Sequence, residues 1–213
     1  MVIAIDGPSG SGKTSIAKSL AKKIGFYYCD SGSLYRAITH FFLKESINID
    51  DNKFIESALE DIDLVYDIES NNIYLNNINI TTKLRSVEIT NHVSVISSIK
   101  AVREKMSKIQ HKIAKDNNII VDGRDIGTCV FPDAQHKFFL DADVEVRAKR
   151  RFDEINQSKY AYEEILEKMS ERDRIDRSRK HSPLVRAKDA IYINNTNLSL
   201  DRQVSEIIKI INN

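Results

Sequence analysis

Cysteine is scarce: Cys29 and Cys129 are the only two in 213 residues. They stand far apart and in no CxxC or Cys/His ligand spacing, which excludes a disulfide framework and a zinc site. They read as ordinary buried or half-buried thiols of a reducing compartment. A dominant charge is also lacking, since 32 Lys and Arg against 31 Asp and Glu leave a formal net charge of +1. Nothing in those totals implies a polyanion-binding or membrane-adsorbing surface, so neither a nucleic acid nor a membrane is expected as partner. No apolar run approaches the roughly 20 residues of a membrane span, and no basic-then-apolar leader precedes the first apolar run. His40, His92, His111, His136 and His181 show no mutual spacing that sets two ligands on one face. No low-complexity tract or internal repeat stands out. The length excludes two full domains and suits one complete α/β core with room for a small inserted lobe. The expectation is a soluble cytoplasmic protein, and a monomer, because no exposed apolar stripe is apparent.

What is present begins at the start of the chain. Val2-Ile3-Ala4-Ile5 is followed by Gly7-Pro8-Ser9-Gly10-Ser11-Gly12-Lys13-Thr14 and then by an amphipathic segment. This strand, loop, helix order is what a phosphate-binding P-loop requires, and it distinguishes the motif from a chance glycine-rich turn. Glycines let the backbone aim successive N–H groups at phosphate oxygens, and the following helix adds its positive end. In such a loop Lys13 reaches the β- and γ-phosphates of a nucleoside triphosphate, and the Thr14 hydroxyl is placed to hold Mg²⁺.

Ile16, Ala17, Leu20, Ala21 and Ile24 recur at helical spacing before Gly25, which sits where a helix ends. Continuous apolar runs at 26–29, 119–121, 138–140 and 190–193 predict four more strands, each buried on both faces, with helices between them. The alternation predicts a five-stranded parallel sheet with helices on both faces and ligands at the carboxyl ends of the strands, beside Asp6, Asp30, Asp122 and Asp141. Leu200, Val204, Ile207, Ile208 and Ile211 predict a core-packing stripe on a last helix. Between about 62 and 82, short apolar runs separated by Asn71-Asn72 and Asn76-Asn77 predict an inserted β-meander, the alternative being loops of a helical cap.

Motors, switches and small-molecule kinases all use such loops, so the second ligand must come from other residues. Arg36 follows the second strand within Asp30-Ser31-Gly32-Ser33-Leu34-Tyr35-Arg36, Arg103 lies in a helical stretch, and Arg124 and Asp125 follow the third strand. Arg172, Asp176 and Arg179 stand at i, i+4 and i+7 of a charged helix, setting two guanidinium groups around a carboxylate. Such a run is also what a solvated, salt-bridged face looks like. Arginines at two strand ends favour phosphoryl transfer, which depends on positioning and charge neutralisation.

These segments resemble the bacterial cytidylate kinase family, a branch of the P-loop nucleoside monophosphate kinases, from Ile3 to the C-terminal helix. The specific parts are 5–10, 30–36, Asp122-Gly123-Arg124-Asp125-Ile126-Gly127-Thr128 with Val130-Phe131-Pro132-Asp133, then 139–142 and the block from Arg172 to Arg179. Departures are small: Thr14 where glycine or threonine occurs, and Ser33 for the commoner alanine. The resemblance implies transfer of the γ-phosphoryl of ATP to CMP or dCMP with Mg²⁺. It implies one kinase domain over 1–213, with a monophosphate-binding lobe inserted at 36–100 and a lid over 144–180. It further implies that Ser31, Arg103 and Asp125 read cytosine, that Arg36, Arg124 and Arg172 bind the acceptor phosphate, that Ser94 and Asp176 contact the sugar, and that Arg179 serves near the phosphates. Ser97 and Ser98 crowd the Ser94 position. Asp122 could order the water around Mg²⁺ or simply cap a turn. The rival readings are a kinase for another small anionic acceptor, such as UMP, TMP or shikimate, and a P-loop switch or assembly ATPase.

Overall fold

The computed structural model describes residues 1–154, 161–196 and 198–212. In chain order the elements are β1 (Val2–Asp6), α1 (Lys13–Ile24), β2 (Tyr27–Asp30), α2 (Ser31–Lys44) and α3 (Asn52–Glu60). Then come β3 (Leu64–Asp67), β4 (Asn72–Leu75), β5 (Ile78–Asn79), α4 (Val87–Ile96), α5 (Lys100–Ala114), β6 (Ile119–Gly123) and a single π-helical turn (Ile126–Val130). The chain continues through β7 (His136–Asp141), α6 (Val144–Glu154), α7 (Tyr162–Ser178), β8 (Ile191–Asn194) and α8 (Leu200–Ile211).

Five strands form one parallel sheet in the order β2, β6, β1, β7, β8. The alternating side chains of β1 and β6 show why both faces need cover. Ile3, Ile5 and Ile120 join one apolar cluster with Ile16, Leu20, Val204 and Ile207 of α1 and α8. Ala4, Ile119 and Val121 join a second cluster with residues of α2 to α5. The edge behaves differently from the expectation: in β8, Ile191 and Tyr192 are exposed and only Ile193 is buried. β8 pairs with β7 alone, and a continuous apolar run does not by itself tell a central strand from an edge. Likewise Leu200 is exposed at the first turn of α8, while Val204 and Ile207 are buried. Cys29 is buried, but Cys129 is exposed rather than buried or half-buried.

The segment 64–79 is a three-stranded antiparallel sheet, with Leu64 opposite Leu75 and Tyr74 opposite Asn79. Asn71, Asn76 and Asn77 take the positive φ values that its turns need. Its inner residues Leu64, Tyr66, Ile73 and Leu75 belong to the same cluster as Ala4 and Val121, so this small sheet packs on the main core. α6 and α7 pack on each other through Ala148, Ile165 and Met169. Part of the expected lid, 155–160, lies outside the described residues. No helix among the described residues is long and apolar enough to cross a membrane.

Side-chain caps start the helices that frame the strand ends. Asp30 accepts from Ser33 N at α2 (3.1 Å), and Ser86 accepts from Ile89 N at α4 (3.3 Å). The parallel register sets Asp30 beside Asp122, and Asp6 beside Gly123. The carboxyl edge of three adjacent strands is therefore acidic. Around it the chain supplies its arginines.

Candidate active site

The loop 7–14 leaves β1 in a conformation that side chains obstruct. Gly12 (φ +88°) caps α1, and a Cβ there would meet the Asn195 amide; Gly7 (φ +149°) lies against the Leu140 carbonyl with no room for one. The N-terminus of α1 has neither a side-chain cap nor an acidic residue in its first turn. Its N–H groups and positive dipole end are thus left for an anion. The loop's carbonyls, by contrast, are tied from outside and within. Arg147 Nη1 donates to Ser9 O (2.9 Å), Asn195 Nδ2 donates to Ser11 O, and Lys13 Nζ donates to Pro8 O (2.6 Å) and Ser11 Oγ (3.3 Å). Lys13 is buried, and burial, followed by the nearby Arg124, holds its ammonium well below the ordinary lysine range.

Asp122, at the end of β6, does not cap a turn. Its Oδ2 accepts from Thr14 Oγ1 (2.8 Å) and its Oδ1 from the Tyr28 hydroxyl (3.0 Å). Burial, and then Asp30, push its carboxyl above the usual range, while Lys13 opposes them. A hydroxyl and a carboxylate side by side form a hard oxygen donor set of the kind magnesium takes. Ser31 Oγ donates to the Asp122 backbone carbonyl (2.5 Å), which puts the first residue of α2 against the same strand end.

Beyond this edge the arginines and carboxylates form a chain of contacts. Arg103 Nη2 meets Asp125 Oδ2 at 2.5 Å, with both side chains almost fully buried, and its guanidinium lies over the Tyr35 ring at 5.0 Å. Arg179 bridges Asp125 Oδ1 (3.9 Å) and Asp176 Oδ1 (3.4 Å), and Arg124 Nε donates to Asp176 Oδ2 (2.9 Å). Against the burial that would raise it, Arg124, Arg172 and Arg179 hold the Asp176 carboxyl below the usual carboxylate range. Arg172 has the opposite problem: burial and then Arg124 lower its guanidinium to about 10. The buried Arg172 Nε and Arg179 Nη2 have no hydrogen-bond partner among the described residues. Two orphan cationic donors in a shared site fit an anionic ligand better than a closed structural network.

Arg36 donates to Leu84 O (3.3 Å) and Thr90 Oγ1 (3.0 Å), and burial followed by Arg85 lowers it to about 10. Ser94 is half-buried on α4 and is not joined to the other candidates by a hydrogen bond among the described residues. The neighbouring Ser97 carbonyl is what accepts from Arg103 (2.9 Å). One geometric expectation fails. Arg179 lies past the end of α7 with extended backbone (ψ 141°), so it is not at i+7 of a helix. Its side chain turns back because Nε donates to Ser182 O (2.5 Å) and Nη1 faces Asp176. Among the described residues the solvated alternative holds for Glu171 with Arg174, which are both exposed, and for the exposed Arg177, whose guanidinium lies 3.8 Å from Asp141 Oδ2.

Four residues of the site escaped sequence reasoning as functional elements. Asp6 reads in the sequence as a strand end within the segment 5–10. Tyr28 orients Asp122, Asn195 ties down Ser11, and Arg147 joins the loop to α7 through Asp173 Oδ2 (2.7 Å). Tyr28, Asn195 and Arg147 belong to none of the short motifs, and Asp6 lies in the segment 5–10 with no role of its own there. Only the topology, which gathers strand ends at one edge, could have singled out Asn195.

A family model described as cytidylate kinase matches residues 3–213. The chain is 46% identical over 211 residues to a cytidylate kinase of Fusobacterium nucleatum, covering 98% of this chain and 96% of that one. It is 43% identical over 214 residues to a cytidylate kinase of Clostridioides difficile, covering 100% and 98%. Among solved structures, a shikimate kinase from Bacteroides thetaiotaomicron superposes with a TM-score of 0.54 at 14% identity, covering 100% of this chain and 98% of that one. That likeness concerns the fold alone.

Proposed function

The chain belongs to the cytidylate kinase family, and on that premise we propose that it transfers the γ-phosphoryl group of ATP to CMP or dCMP, giving ADP and CDP or dCDP. The observation that carries the reading is the continuity of two anion-seeking sites. The glycine-rich loop with Lys13 adjoins a cluster in which buried arginines keep donors without a hydrogen-bond partner among the described residues, and Arg124 and Arg172 are close enough to Lys13 to depress its ammonium.

ATP takes the loop 7–14, with backbone N–H groups on its phosphate oxygens and Lys13 on the β- and γ-phosphates. Lys13 exchanges the Pro8 carbonyl for those oxygens. Magnesium would be held by Thr14 and, through water, by Asp122, and when bound it neutralises charge on the phosphates. Arg36, Arg124 and Arg172 take the acceptor phosphate, Ser94 and Asp176 the sugar, and Arg179 the transferring group. No general base is needed, because the attacking phosphate oxygen is already anionic. The chain's work is to align two anions in line and to oppose their repulsion.

Base choice follows from polarity. Ser31 and the Asp125 carboxylate face the cytosine amine, and Arg103 faces N3 and O2. Uracil would set O4 against the carboxylate and N3–H against a donor, at a cost of roughly 1–3 kcal/mol per buried mismatch. In this reading 36–100 embraces the monophosphate, and the α6–α7 hairpin within 144–180 closes as a lid that excludes water. The reading extends to a cytoplasmic monomer acting on free nucleotides; the exposed free thiol of Cys129 suits a reducing compartment.

A coupled ADP-release assay across CMP, dCMP, UMP, TMP and no acceptor tests this. ADP formed only with the cytidine monophosphates is the expected result. ADP formed equally without any acceptor would overturn it in favour of a switch or ATPase.

A further inference from the structure

Building on that reading, we propose that Asp6 is a positioning residue for base selection: it caps the turn that follows Asp125, and so leaves the Asp125 carboxylate free to face the substrate.

Asp6 ends β1, the central strand of the sheet, immediately before Gly7. Its two carboxylate oxygens each accept one backbone N–H across 120 and 121 residues of sequence: Oδ1 from Ile126 N (2.8 Å) and Oδ2 from Gly127 N (2.8 Å). These are the first two residues of the π-helical turn Ile126–Val130, whose opening N–H groups have no acceptor within the turn. Asp125 occupies the N-cap position of that turn, and its carbonyl accepts from Cys129 N (2.9 Å) and Val130 N (3.1 Å).

An aspartate at an N-cap ordinarily folds its own side chain back onto the N–H groups that follow it. Asp125 makes no such bond. Its carboxylate instead points the other way, to Arg103 at 2.5 Å and toward Arg179 at 3.9 Å. The capping duty has passed to Asp6. A carboxyl group rooted in the middle of a packed sheet is a stiff anchor, and the two bonds at 2.8 Å fix the turn against the strand that launches the phosphate loop. The same link thus sets the distance between the base-reading group and the loop that holds the donor. Displacement by an ångström at such a point is costly for in-line transfer.

If Asp6 loses one acceptor, the exposed N–H draws Asp125 back to cap its own turn, away from Arg103 and the base. Asp6→Asn does this with little change of shape, because its amide sets a donor against one of the two N–H groups. The test compares kcat/KM for CMP and for UMP in the wild type, Asp6→Asn, Asp125→Ala and the double variant. The expected result is a fall in the CMP/UMP ratio of about tenfold in Asp6→Asn, the scale of one helix cap. In the Asp125→Ala background Asp6→Asn should leave that ratio unchanged within about twofold, because the group it positions is gone. A purely structural Asp6 would lower the melting temperature in both backgrounds and move the ratio in neither. An undiminished ratio in Asp6→Asn, or a further fall in the double variant, overturns the proposal. A wild type indifferent between CMP and UMP would instead overturn the base-reading assignment itself, and this inference with it. Should Asp6→Asn not fold, amide exchange in the wild type decides: Ile126 and Gly127 N–H protected as core amides support the clamp, and exchange as fast as in an open loop overturns it.

Discussion

Removing the Asp125 carboxylate should damage stability and base choice at once, by amounts that follow from its surroundings. In Asp125→Ala the Arg103 guanidinium keeps its place, 6% exposed, with one remaining hydrogen bond to Ser97 O and the Tyr35 ring beneath it. Breaking a buried ion pair from one side leaves an uncompensated charge, at about 3–5 kcal/mol. A domain of this size loses about 2–4 °C per kcal/mol, so the melting temperature should fall by about 6–20 °C. Replacing both partners with apolar residues, Arg103→Met with Asp125→Leu, removes the stranded charge and should recover much of that loss. The functional loss is separate. A carboxylate opposite the cytosine amine discriminates by about 1–3 kcal/mol, so the CMP/UMP ratio of kcat/KM should fall by about 5- to 160-fold. Scanning calorimetry reads the first effect and initial rates with both acceptors read the second. An Asp125→Ala protein that melts within two or three degrees of the wild type, or that keeps its CMP preference, would refute the reasoning. So would a double variant as unstable as the sum of the two single ones.

Three further expectations concern the rest of the site. Lys13→Ala should lower kcat by at least about a hundredfold, with melting unchanged or slightly raised because a buried ammonium is removed; turnover near normal would deny Lys13 its phosphate role. Burial raises the Asp6 carboxyl to about 7 from an unfolded value near 3.8, so the folded state holds the proton more tightly, and its stabilising contribution is full below about pH 4 and lost as pH rises to about 7. Asp6→Asn should remove that part of the slope in a Tm-against-pH series, and parallel curves for the two proteins would contradict it. Asn195→Ala unties the Ser11 carbonyl and should raise the KM for ATP more than that for CMP; a lower melting temperature with both KM values unchanged would mean that Asn195 serves only the packing of α8.

Much of this arrangement is written in local pattern. Val2–Ile5, 119–121 and 138–140 are apolar throughout because strands of a parallel sheet are covered on both faces, and the sheet confirms each. The Asn pairs of the meander are legible for a similar reason, since few residues tolerate positive φ. What fails is information that neighbours supply. The run 190–193 reads like a central strand, yet with nothing beyond it in the sheet two of its apolar residues face solvent. Helical spacing carries Arg179 to i+7, yet the chain leaves the helix at Ser178, and the Ser182 carbonyl draws the side chain back. Asn195 and Arg147 act on the loop from 184 and 138 positions away, and no spacing rule spans such separations.

The division between legible and hidden residues has a physical cause. Residues that touch a phosphate must carry particular chemistry at particular offsets within one loop or helix turn, so their pattern is compact. Residues that hold those elements in place need only reach them, from any direction the fold allows. Asp125 shows both sides of this. Its position after β6 marks it as a ligand, yet whether its carboxylate points outward or caps its own turn depends on Asp6 of another strand, whose oxygens already occupy the Ile126 and Gly127 N–H groups. The side chain is available for substrate because a second carboxylate has taken its ordinary local task, and the two acids have to be read as a pair.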